Sequence, residues 1–95
     1  MISIVKFEWD ENKNKSNINK HGISFQLAAK VFQDDHVIIL PDEFHSGDEE
    51  RNIAIGMVEK VLYVVFTERT DAIRIISARR ATKLEMMLYD DNLYS

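Results

Sequence analysis

Hydrophobic positions change period twice along the chain, and the changes divide it into elements. Ile4 to Trp9 (IVKFEW) is short and rich in β-branched and aromatic residues, which predicts a strand. Residues 11–20 (ENKNKSNINK) are polar and suit a helix, with Asp10 as its N-cap and Gly22 as its left-handed stop. Ile18 is its one strong apolar residue, so the helix is expected to dock lightly. Ser24 can cap a second helix over 25–33, where Phe25, Ala28, Ala29 and Phe32 form an apolar stripe at i, i+3, i+4 and i+7.

Strand patterns follow. Val37 to Leu40 is a continuous apolar run, stopped by Pro41 and a polar loop from Asp42 to Glu49. Three more strands are expected at Arg51–Met57, Val61–Thr67 and Ala72–Ala78, joined by gaps short enough for antiparallel hairpins. Thr82-Lys-Leu-Glu85 has capping-box spacing and opens a last helix to about Asp90. The predicted order is β-α-α-β-β-β-β-α. That is an α+β fold: a short N-terminal strand and two helices, then a four-stranded antiparallel meander sheet and a C-terminal helix. The helices are expected on one side of the sheet.

The chain of 95 residues is long enough for a single domain, 1–95. It has no cysteine, which rules out disulfides and thiolate metal sites. No apolar run reaches membrane-span length, and Met1 to Lys6 lacks the order of a signal peptide, so a cytoplasmic protein with no membrane partner is expected. A net charge of −4 argues against nucleic-acid binding on its face. Distribution matters more than the sum: Arg69, Arg74, Arg79 and Arg80 lie within twelve residues, a local cluster able to grip a phosphate.

Alternation along the last strand sets Ile73, Ile75, Ser77 and Arg79 on one face and Arg74, Ile76, Ala78 and Arg80 on the other, but the rule loses force where the strand ends and leaves the sides of Arg79 and Arg80 open. A guanidinium at Arg74, among aliphatics, must be paired or face solvent. It reads either as an ion pair with Glu68 or Glu50, or as a rigidly held phosphate ligand. Glu68-Arg69 and Glu50-Arg51 are further acid–base pairs at strand ends, which read equally as solvated hairpin ends. The acidic segment around His45 and Asp48 matches no strong metal motif, and no cofactor is expected.

Three blocks resemble the BrnT toxin family: Phe7 to Lys13, His21 to Phe25, and above all Tyr63 to Thr82, with Glu50-Arg51 and Ile55-Gly56 in support. The similarity runs from about Lys6 to Glu85. It implies a RelE-like fold and a metal-independent ribonuclease that stops translation. It also implies a BrnA-like ribbon-helix-helix antitoxin, a 2:2 heterotetramer, and operator DNA bound only through the antitoxin. Cutting RNA without a metal needs a base for the 2′-OH, cations for the charged phosphorane and an acid for the 5′-oxygen. On the resemblance, Arg51, Glu68, Arg69, Arg74 and Arg79 are the expected catalytic residues, and Lys20, His45 and Arg80 are expected to add contacts to RNA. One departure stands out. Family chains usually continue after Ala-Thr with a strongly basic helix, whereas here Lys83 is its single cation. A weakened or inactive homologue, acting mainly as an antitoxin-binding partner in an operon-repressing complex, is the alternative reading.

Overall fold

The computed structural model describes residues 6–43 and 49–93. Strand β1 (Lys6–Glu8) leads into helix α1 (Glu11–His21) and helix α2 (Phe25–Ala29), which tightens into a 3₁₀ turn at Lys30–Gln33. Strands β2 (Ile38–Pro41), β3 (Asn52–Val58), β4 (Lys60–Glu68) and β5 (Ala72–Arg80) follow, and helix α3 (Lys83–Leu93) comes last. No helix among the described residues is long and apolar enough to cross a membrane.

The predicted meander of β2 to β5 is present, but the sheet has five strands in the order β1-β5-β4-β3-β2. The expectation of a four-stranded antiparallel sheet is therefore corrected: β1 joins it, parallel to β5, with Phe7 beside Ile73. Local pattern carries no trace of a pairing between segments so far apart in sequence. The gain is physical, because β1 covers part of an edge that β5 would otherwise leave bare.

A second correction concerns the layers, because helices lie on both faces. Phe25, Ala28 and Val31 pack on Ala54, Leu62, Val64, Phe66, Ile75 and Ala78 to form the main core. Phe32 meets Phe66 edge-on at 5.0 Å between centroids. On the opposite face Tyr89 of α3 packs with Ile53, Ile55 and Val61. The 3₁₀ turn sits so close to β3 that a Cβ on Gly56 would lie 3.0 Å from the Val31 Cβ and 3.1 Å from its carbonyl oxygen. Glycine is what lets the turn approach.

Caps follow the sequence reading. Asp10 accepts from the Asn12 and Lys13 amides, Gly22 adopts φ 72° and closes α1, and Ser24 accepts from the Leu27 amide. The docking of α1 differs from expectation. Ile18 is exposed, and the buried residues of this helix are Asn14 and Asn17.

Candidate active site

The decisive local feature is a bulge in β5. Ser77 pairs with Val65 and Ile75 pairs with Phe66, so Ile76 is the extra residue. A bulge shifts the alternation by one position. The faces read from simple alternation are corrected accordingly. Ile73, Ile75, Ala78 and Arg80 hold register positions on the α1–α2 side, while Arg74, Ser77 and Arg79 share the other face with Tyr63, Val65 and Thr67.

On that second face lies a cleft of about 270 Å³ lined by Asp42, Arg51, Tyr63, Val65, Ser77 and Arg79. Two predicted site residues, Arg51 and Arg79, thus meet in one hollow. Arg51 immediately precedes β3, and its carbonyl accepts from the Asp42 amide at 2.9 Å, which ties the end of β2 to the start of β3. Asp42 is buried at that junction.

Arg79 is held on three sides. Its guanidinium carbon lies 3.8 Å from the centroid of the Tyr63 ring, directly across the β4–β5 ladder. Its Nη1 and Nη2 donate to Glu85 Oε1 at 2.8 Å and Oε2 at 3.0 Å, and Nη1 also donates to the Arg80 carbonyl at 3.1 Å. Glu85 is fixed in turn: the Thr82 amide donates to its Oε1 at 2.8 Å, and its own amide donates to Thr82 Oγ1 at 3.2 Å. This is the predicted capping box, now joined to an arginine.

Charges follow the geometry. Hydrogen bonds to Glu85 hold Arg79 above its ordinary range despite burial, so it stays cationic. Burial would raise Glu85, but hydrogen bonds from Arg79 and the Thr82 amide outweigh it and hold the carboxyl below its usual value. Burial pushes the Tyr63 phenol up, helped by the Asp42 charge and opposed by Arg79.

The remaining predicted residues are spread out. Arg74 shares the cleft face, opposite Thr67 and beside Glu8 in register, and its guanidinium pairs with neither Glu68 nor Glu50 among the described residues. Thr67 is fully buried, with its hydroxyl unpartnered among the described residues. Glu68 and Arg69 end the β4 side of the hairpin, where the Arg69 amide donates to the Ala72 carbonyl at 2.8 Å. Arg69 pairs with Glu49 at 2.9 Å and approaches Glu8 at 4.0 Å, and neither Glu68 nor Arg69 lines the cleft. Arg80 lines a different cavity with Gly22, Ile23 and Lys60, and Lys20 lies exposed in the last turn of α1. His45 lies outside the described residues. Among the described residues, no three His, Asp or Glu side chains converge to hold a metal.

Sequence reasoning missed Asp42, Tyr63 and Glu85 as site residues. Counting back across the hairpin would have set Leu62 opposite Arg79; only the bulge brings Tyr63 there, so its place was hidden in the sequence. Glu85 was legible as a cap but gave no sign of its second bond.

The family described as ribonuclease toxin, BrnT, of type II toxin–antitoxin system matches residues 9–85. Among solved structures, the ribonuclease toxin BrnT of Brucella abortus is similar. It shares 30% identity with a TM-score of 0.67, over 84% of this chain and 100% of that one. Among curated proteins no relative matches the chain.

Proposed function

Because the chain belongs to the BrnT family of ribonuclease toxins of type II toxin–antitoxin systems, we propose that it cleaves RNA without a metal, at the cleft between Arg51 and Arg79. The observation that carries this reading is the meeting of two guanidinium groups with a phenol and a carboxylate in one open hollow. Two guanidiniums can stabilise the extra charge that a phosphate gains on the way to a pentacovalent state. Asp42 and Tyr63 are the neighbouring groups able to exchange protons with the 2′-OH and the leaving 5′-oxygen. Arg74, farther along the same face, holds a flanking phosphate. On this reading Lys20, Glu68, Arg69 and Arg80 stand outside the chemical step.

The cellular role proposed is translation arrest in the cytoplasm by a toxin of RelE-like fold. A BrnA-like ribbon-helix-helix antitoxin neutralises it in a 2:2 complex and supplies the contact to operator DNA. The apolar stripe Leu84, Met87 and Leu88, 69%, 60% and 46% exposed on α3, supports a protein partner there.

Inducing the chain alone, beside an Arg51→Ala plus Arg79→Ala version, tests the site. Arrest by the native chain and growth with the double variant is the expected result. Cleavage of RNA by the purified protein should survive EDTA. Soluble expression without arrest would instead favour the antitoxin-binding homologue, a reading supported by the shortage of cations in α3.

A further inference from the structure

Arginine has five N–H donors in a rigid fork, and the contacts of Arg79 account for three of them. Two go end-on to Glu85 and one goes from Nη1 to the Arg80 carbonyl. What is left is Nε–H and the second Nη2–H. Those two lie parallel along one edge, the edge that binds a phosphate bidentately. The Tyr63 ring supports the plane from one face. Glu85 is itself clamped by the Thr82 cap, so it cannot follow a wandering arginine.

We propose that Glu85 is a positioning residue: it presets Arg79 so that the remaining side-on fork meets a substrate phosphate in the cleft. The inference rests on the site proposed above and goes beyond it, because it assigns a role to an acidic side chain that simple charge counting would call harmful. Two effects compete. A carboxylate near a phosphate repels it, but the pair is partly exposed and water screens that term. Preorganising the fork spares the loss of side-chain freedom on binding. The two effects give opposite signs.

The signs make the test sharp. The full-length protein is titrated with a fluorescent RNA oligonucleotide carrying 2′-deoxy substitutions, which binds but cannot be cut. Glu85→Gln keeps a residue suited to the capping box but removes the charge that locks the arginine. Expected is weaker binding by about fivefold, with a comparable loss in Arg79→Lys, which keeps the charge and loses the fork. Tyr89→Phe, which loosens α3 while leaving Glu85 in place, should bind like the native chain. Equal or tighter binding by Glu85→Gln would overturn the proposal, since a merely repulsive carboxylate gives that result. An equal loss in Tyr89→Phe would overturn it too, in favour of general helix docking. If Arg51→Ala and Arg79→Ala both bind as the native chain does, the site itself is wrong. If they lose binding while Glu85→Gln does not, the positioning role alone fails.

Discussion

Two buried asparagines carry the attachment of a helix that has almost no apolar face. Asn17 donates to the Ile23 carbonyl at 2.9 Å and to the Ala78 carbonyl at 2.8 Å, and it accepts from the Ala78 amide at 3.2 Å. β1 pairs with β5 only as far as Arg74, so among the described residues the later edge of β5 has no neighbouring strand. Asn17 supplies there the donor and acceptor that a strand would have supplied. Asn14 accepts from the Phe25 amide at 2.8 Å, at the start of α2. Asn17→Ala would strip one buried amide and two carbonyls of their partner, at a cost of about 2–4 kcal/mol. A urea midpoint measures it, and a loss below about 1 kcal/mol would mean that water fills the gap. Reading the sequence by apolar period finds none of this, because an asparagine in a polar helix looks like solvent-facing residue until the strand edge beside it is known. Arg79 shows the same limit: its residue type was informative, but its face was not, because a single bulged residue reversed the alternation.

At the scale of elements, caps and strand spans were legible because their signals are local. Asp10, Gly22, Ser24 and Thr82–Glu85 each act within three or four residues. The parallel pairing of β1 and the far-side docking of α3 were not legible, since both depend on contacts between distant segments. The α3 contact has a titratable core. The Tyr89 hydroxyl donates to Asp34, which also accepts from the Met57 and His36 amides, and Asn92 donates to the His36 carbonyl at 2.9 Å. Burial and the hydrogen bond to Asp34 push the Tyr89 phenol up to about 12. An acid whose folded pKa lies above its unfolded value, near 10, stabilises the fold fully below about pH 10 and loses that contribution as pH rises toward 12. Asp34 runs the other way. Burial would raise it, but bonds from Tyr89 and the two amides hold it below its ordinary value. Its contribution is present above an unfolded value near 4 and is lost as pH falls through the lower folded one. Thermal melts should therefore be flat from about pH 5 to 9 and drop on both sides. Tyr89→Phe should abolish the alkaline drop. A variant that keeps it would trace the effect to other groups.

For the molecule as a whole, the question is how a chain of net charge −4 holds a polyanion. Among the described residues three of its twelve lysines and arginines are held in ion pairs: Arg69 with Glu49, Lys6 with Asp71 and Arg79 with Glu85. Asp42 lies in the cleft itself. Broad electrostatic attraction is therefore absent, and affinity has to come from a few directed contacts. That has a measurable consequence. Each phosphate held on single-stranded RNA adds about 0.7 to the fall of log K with log salt, so three arginines on one face predict a slope of about −2. Arg74→Ala should flatten it by about 0.7 if that residue holds a flanking phosphate. Lys20→Ala and Arg80→Ala should leave it unchanged, because both residues belong to the α1–α2 side of the sheet. A steeper slope that these two variants reduce would extend the RNA footprint around the sheet edge. It would make the acidic body, rather than the cleft, the surface RNA has to cross.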